Sequence, residues 1–350
     1  MGLKRKVLLF ISSFRKNSKK ILVIFAFCIV FLVIERMVSM FLEPPQRFYS
    51  DYDPRISWDD FYHSKRNVDI IFLGSSHCNR SFDPEYFDNE LGLYSFNLGS
   101  SCQSPTQSYY VLQEAIRYNN PKFIVMEVYW VMFEQDTNFN AACYIFDNIR
   151  FSPNKLSMLY NDFSPDQYLK AMFYSIRYHD NYKNTELIKE NLYDRILKKN
   201  PVENKFISNP EIQFYKNKGF VANTTVASTD SLRKTNFYLS YKSSKWSNKQ
   251  IVYFNKIIQL CKKNDMEIIF VTTPLPPTSL SMIENYNSIH KAFQEIADYN
   301  QINYIDYNVI NNELKIFNDQ HFMDEQHLNL EGVMVLNKNF AQALKPLLQQ

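Results

Sequence analysis

Val68 to Ser76 reads VDIIFLGSS. Four consecutive apolar residues without alternation are the pattern of a strand covered on both faces, as in a parallel sheet. Gly74-Ser75-Ser76 then breaks the run, so the strand ends where two hydroxyls stand at its carboxyl edge. Outward from this stretch, helical and strand patterns alternate. Asp83 and Pro84 cap and open a helix over 84–91, 94–98 reads as a second strand, and Ser104-Pro105 opens a helix to about residue 118. Residues 122–130, KFIVMEVYW, give a third strand. From about 133 to 246 the alternation lapses into a stretch rich in Tyr, Phe, Asn and Lys, with helices expected near 165–178 and 185–198. It resumes with a helix over 247–263, the strand EIIFVTT at 267–273, a helix over 281–299, a strand at 303–306 and an amphipathic helix over 330–348. Strands separated by helices imply an α/β fold, a doubly wound parallel sheet with helices on both faces. The pattern therefore assigns 66–350 to one domain, with 133–246 as a largely helical insertion at the loop edge, where specificity commonly resides.

The residues able to do chemistry fall at the strand ends. A serine hydroxyl is a poor nucleophile until a neighbouring imidazole takes its proton and a carboxylate orients that imidazole. Ser76 lies at the carboxyl edge of the first strand, and Asp324-Glu-Gln-His327 supplies an Asp-x-x-His far along the chain. Each piece alone is commonplace: Gly-Ser-Ser can be a polar loop, and Asp324 can cap a turn. Their order, separation and placement at strand ends give them weight together. Asp319 and His321 form a second Asp-x-His pair close by, a reserve base. Ser75, His77, Asn79 and Arg80 share the loop after the first strand and are candidates for touching substrate. Arg80 could instead pair with Asp83.

These motifs resemble the SGNH (GDSL-like) hydrolase superfamily across roughly residues 68–130 and 247–348. The resemblance implies a three-layer α/β/α fold. The first block matches Gly74-Ser75-Ser76, making Ser76 the nucleophile with Ser75 where the family carries aspartate. The second matches Asn97-Leu98-Gly99, where the Gly99 N–H and that of Ser76 would form an oxyanion hole. The last matches Asp324 and His327, as orienting carboxylate and general base. The chain departs from the third block: Glu127-Val128-Tyr129-Trp130 contains no Gly-x-Asn-Asp, so the family's further oxyanion donor is not found.

The amino-terminal region sets a location. Residues 1–20 carry seven of the 39 basic residues and no acidic one, followed by the uncharged apolar run Ile21–Ile34 and a further apolar stretch to Leu42. To Leu42 the length matches the roughly 20 residues a membrane helix needs. No small-x-small cleavage site follows, so an uncleaved anchor over 21–42 is expected rather than a signal peptide. Basic flanks stay on the cytoplasmic side, which gives a cytoplasmic tail (1–20), a linker (43–65) and a body facing outward. Without residues 1–20 the chain holds 32 basic against 36 acidic residues, which removes the simplest support for nucleic-acid binding. Cys78 and Cys102, each a few residues beyond a strand, could be bridged in an oxidising exterior or remain thiols. No Cys/His spacing matches a zinc site, and neither a metal nor an organic cofactor is expected.

The layout also resembles envelope proteins that work beside membrane-bound O-acyltransferases. That resemblance implies a membrane-anchored esterase or O-acyltransferase acting on acyl groups of a cell-surface glycan or other envelope polymer, and the Asn- and Lys-rich, tyrosine-heavy composition points to a bacterial protein. The alternative is a catalytically inert scaffold or glycan-binding protein on the same fold. A lipase or thioesterase would need an apolar groove lined by the insertion.

Overall fold

The structure, a computed structural model, describes residues 2–44, 54–134, 138–193, 211–233 and 246–348. Five strands form an all-parallel sheet: β1 (Ile70–Leu73), β2 (Ser95–Asn97), β3 (Phe123–Glu127), β6 (Glu267–Thr272) and β7 (Asn303–Asp306), in the order β2-β1-β3-β6-β7. The register pairs Ile70 with both Ser95 and Phe123, and Phe123 with Glu267. Between them, β4 (Gln213–Asn217) and β5 (Phe220–Asn223) form a separate antiparallel hairpin.

The order follows from the apolar runs. All four residues of β1 are buried, which requires cover on both faces. Alternate residues point to opposite faces. Ile70, Phe72, Val125, Ile269 and Val271 share one core with Phe82, Phe87, Tyr307, Phe340 and Leu344. These last come from α4 (Pro84–Leu91), α16 (Tyr307–Leu314), α17 (Leu330–Leu347) and the residue after α3 (Ser76–Ser81). On the other face Phe270 packs against Phe254 of α13 (Asn248–Lys263), with ring centroids 5.0 Å apart. The helices α5 (Pro105–Tyr118) and α15 (Tyr286–Asn300) complete that layer. The fold is therefore α/β, a parallel sheet between two helical layers. Because β2 and β3 flank β1, the carboxyl end of β1 lies where the strand order reverses, the place at which open α/β sheets hold their ligands.

The chain divides into two compact units: Met1–Pro45 with Asp166–Glu203, and Gln46–Pro165 with Asn204–Gln350. In the first, α1 (Gly2–Leu42) is one helix that runs from the basic tail through the apolar stretch, and Lys19–Leu42 is long and apolar enough to cross a membrane. In the second, the expected linker contains α2 (Pro54–Tyr62), whose Trp58 and Phe61 are buried. The insertion expected at 133–246 is not one body. Its opening helices α6 (Val131–Glu134), α7 (Phe139–Asn148) and α8 (Pro153–Asp162) belong to the sheet unit and pack near α5 and α13. The middle part packs on α1 instead, through α10 (Tyr174–Arg177) and α11 (Thr185–Asn191), with α9 (Tyr168–Met172) against α10. The β4–β5 hairpin, unexpected from the sequence, lies beside β2 and α3, and the Lys218 carbonyl accepts from the Asn97 N–H at 2.9 Å.

Candidate active site

The site begins at Gly74, which has φ +150°, on the side of the map that side chains rarely adopt. A Cβ there would lie 2.4 Å from a Glu127 carboxylate oxygen, so β1 can turn into α3 only with glycine at this position. Ser75 is the N-cap of α3. Its hydroxyl accepts from the His77 N–H at 3.2 Å and donates to Glu127 Oε2 at 2.9 Å, while its own N–H donates to the same oxygen at 2.7 Å. Ser75 is thus buried and fully engaged. Ser76, half-exposed, opens the helix with an N–H that has no acceptor within it.

The partner loop is built from the other end of the chain. An antiparallel bridge between Phe322 and Leu328, with the Met323 N–H donating to the His327 carbonyl at 2.9 Å, closes the turn that carries Asp324 and His327. The Asp324 carboxylate accepts from the N–H groups of Gln326 (2.9 Å) and His327 (2.7 Å), and lies 2.9 Å from His327 Nδ1. Nδ1 facing a carboxylate carries the proton, which leaves Nε2 to accept. Nε2 stands 2.8 Å from Ser76 Oγ. Burial pushes Asp324 upward, but His327 and the two N–H donors outweigh it and hold the carboxyl well below its ordinary range. The ionised carboxylate can therefore orient the ring and stabilise an imidazolium.

His77 sits behind this pair. Its ring is 4.1 Å from that of Tyr129 and 4.8 Å from that of His327, and Nδ1 lies 3.3 Å from Thr273 Oγ1. Burial, then the neighbouring His327, pushes its pKa well below the usual imidazole range, so it remains neutral. Tyr129 in turn donates to Gln326 Oε1 at 3.2 Å, tying the third strand's exit to the Asp324 turn.

The structure brings Ser76, His327 and Asp324 together, and it separates the reserve pair. Asp319 is occupied by the N–H and hydroxyl of Thr278, and His321 Nδ1 accepts from the Asn318 N–H. The four residues expected to touch substrate are placed differently. Ser75, His77, Asn79 and Arg80 are all buried, because α3 turns these side chains into the core beneath Ser76. Arg80 does not pair with Asp83. It donates to Gln213 Oε1 at 3.0 Å, and Asp83 instead takes Lys216 at 2.6 Å. These residues support the site from behind.

Gly99 also differs from expectation. Its N–H donates to Asn97 Oδ1 at 3.0 Å, and the glycine is required because a Cβ would meet Cys78 Cβ at 2.6 Å and Sγ at 2.8 Å. Close packing against α3, rather than close approach of a ligand, demands glycine here. Asn97 is the organiser that sequence reasoning passed over. Its amide nitrogen donates to the carbonyls of Cys78 and Phe82, both at 2.9 Å, and its oxygen also takes the Cys78 thiol at 3.3 Å. Cys78 and Cys102 are free thiols, the first buried and the second exposed.

Glu127 was missed as well, although it ends β3 one residue past the Leu73–Met126 pair, where its carboxylate reaches Ser75. Burial raises its pKa from about 4.5 to about 7, against the opposing pull of the two Ser75 donors. A charged residue closing an otherwise apolar strand, EVYW after FIVM, was the available signal. Among the described residues no group of His, Cys, Asp and Glu is arranged to hold a metal ion.

No family model matches the chain, and no curated protein matches it. Solved structures do. A protein from Bacteroides fragilis, assigned as an acylhydrolase, aligns with 86% of this chain and 97% of its own at 12% identity and a TM-score of 0.38. A GDSL-like lipase from Bacteroides thetaiotaomicron aligns with 85% of this chain and 98% of its own at 11% identity and a TM-score of 0.38. A likeness at that level assigns neither activity nor substrate to this chain.

Proposed function

We propose that the protein is a membrane-anchored serine esterase or O-acyltransferase of the SGNH type, acting on acyl groups of a cell-envelope polysaccharide. The observation that carries this reading is the line Ser76 Oγ, His327 Nε2, His327 Nδ1, Asp324, with 2.8 and 2.9 Å at its two joints. In this reading His327 takes the Ser76 proton as Oγ attacks an ester carbonyl. Collapse expels the alcohol, which receives that proton, and leaves an acyl-Ser76 intermediate. Water as second acceptor gives hydrolysis; a polymer hydroxyl gives transfer. The Ser76 N–H is the first oxyanion donor, and one such donor is worth roughly 3 kcal/mol. Gly99 becomes a second donor if its N–H leaves Asn97 when the oxyanion forms.

The basic residues that precede the apolar part of α1, Lys19 and Lys20 among them, favour a cytoplasmic amino terminus and an outward-facing body. The membrane-bound O-acyltransferase partner and the glycan substrate rest on the resemblance of the layout. A second reading, an inert scaffold or glycan-binding protein, is favoured by one observation: the Gly99 N–H is already satisfied by Asn97. The two readings separate on a small activated ester. Full-length protein in detergent should hydrolyse p-nitrophenyl acetate, and Ser76→Ala and His327→Ala should each abolish turnover above background. Equal rates in all three folded proteins would favour the scaffold.

A further inference from the structure

The middle of the insertion packs against the amino-terminal helix. Residues 166–193 belong to the same compact unit as α1 and grip that helix at two levels. At its outer end, Asn181 Nδ2 donates to the Leu42 carbonyl at 2.8 Å. Asn191 Nδ2 donates to those of Phe41 and Glu43, both at 2.9 Å. These are carbonyls that a helix end leaves without partners. Deeper along α1, Phe173 packs edge-on against Phe31 at 5.4 Å, and the Ser175 N–H donates to Glu35 Oε1 at 3.2 Å. Eleven residues separate Phe31 from Leu42, about 16 Å of helix axis at 1.5 Å per residue.

That depth matters for where the bilayer lies. The uncharged run Ile21–Ile34 is only 14 residues, about 21 Å, short of the roughly 30 Å of a hydrocarbon core. A span counted outward from Lys20 therefore reaches about Met40, and takes in Glu35 and Arg36, whose guanidinium points on to Glu43 at 4.0 Å. A carboxyl at such a position needs a hydrogen-bonding partner, and here Ser39 Oγ at 2.7 Å and the Ser175 N–H supply two. The segment that provides Ser175 must then enter the same layer. Its surface suits that layer: Leu169 and Met172 are exposed, as are Tyr182 and Tyr193. Residues 166–193 hold six aromatic residues, with four acidic and four basic ones, so the segment has no net charge to draw it to anionic headgroups. Tyrosines at the headgroup level with apolar residues beneath them are the composition of a membrane interface.

We infer that residues 166–193 form a collar around the outer end of α1 that inserts into the outer leaflet, with Leu169 and Met172 in contact with acyl chains and Tyr182 and Tyr193 at the headgroup level. The partner surface is the lipid bilayer itself, engaged through apolar and aromatic contact rather than headgroup charge. The inference rests on α1 spanning the membrane and is independent of Ser76.

The test uses the full chain reconstituted into phosphatidylcholine vesicles, plain or with acyl chains brominated near the headgroup end. Tryptophan is added singly as Leu169→Trp, Met172→Trp or Tyr182→Trp, with Phe27→Trp in the span and Tyr299→Trp on the sheet unit as references. The signal is the emission gained over wild type. Leu169→Trp and Met172→Trp should each lose at least half of that emission in brominated vesicles, with Tyr299→Trp unchanged. Collar tryptophans as unquenched as Tyr299→Trp, beside a quenched Phe27→Trp, would overturn the collar and leave the anchor standing. An unquenched Phe27→Trp would overturn both. Ester turnover on the same vesicles reports separately on Ser76.

Discussion

The Glu127 carboxylate holds Ser75 by two hydrogen bonds to a single oxygen, from the backbone N–H at 2.7 Å and the hydroxyl at 2.9 Å. It thereby fixes the residue immediately before Ser76. Because burial raises the Glu127 pKa to about 7 from about 4.5, the folded protein holds this proton more tightly than the unfolded chain does. The resulting contribution is fully present below about 4.5 and is lost as pH rises through about 7. Glu127→Gln keeps an acceptor for Ser75 but has no proton to lose. Between pH 5 and pH 8 the wild type should therefore lose stability relative to Glu127→Gln, by on the order of 2–3 kcal/mol at 1.36 kcal/mol per pKa unit. Thermal unfolding of both proteins at the two pH values measures the difference, and parallel pH profiles would contradict it.

Asn97, fully buried, ties β2 to α3 and the residue after it through three contacts, and holds the Gly99 N–H with a fourth. Asn97→Ala leaves the carbonyls of Cys78 and Phe82 and the Gly99 N–H without that partner, at about 1–3 kcal/mol for each buried group left unsatisfied. We expect a loss of several kcal/mol, read as a lowered unfolding midpoint. Gly99→Ala should also destabilise, by roughly 1–3 kcal/mol, because Cys78 must move. A neutral outcome at Asn97 would show that the site loop does not depend on it.

Asp324→Asn tests the orienting role. The carboxamide can keep the two backbone N–H bonds, but it can present its NH2 to His327 Nδ1 and so favour the wrong tautomer. By analogy with other Ser-His-Asp sites, turnover of an activated ester should fall by roughly 10³–10⁴. Full activity would remove Asp324 from the proposed mechanism.

Topology can be read from Cys102, which is exposed on the sheet unit while Cys78, Cys143 and Cys261 are buried. A membrane-impermeant maleimide applied to intact cells should label Cys102 from outside, and Cys102→Ser should abolish the labelling. Labelling only after lysis would place the body in the cytoplasm.

Much of this was legible in the chain because the signals were local. The buried run Ile70–Leu73 and the Pro84, Pro105 and Ser104 helix starts mark elements that need no distant partner to be recognised. The Ser76, Asp324 and His327 motifs stood out because each sits at a strand end or in a turn. What stayed hidden depended on packing between distant segments. The β4–β5 hairpin was missed because its strands are short and mixed, although the Lys218-Gly219 turn, with both residues at positive φ, marks it. Glu127 and Asn97 were read as members of motif blocks, and their roles appear only when β1, β2 and β3 lie side by side. Nor does the local sequence of Leu169 or Phe173 reveal that they accompany α1, some 130 residues earlier.

The most direct test of the central claim is covalent capture of the nucleophile. Full-length protein would be treated with a fluorophosphonate probe and mapped by peptide mass spectrometry, with His327→Ala alongside. The account predicts a single adduct on Ser76 in the wild type, and little or none in His327→Ala. An unlabelled but folded wild type, or an adduct on Ser75 in place of Ser76, would contradict it.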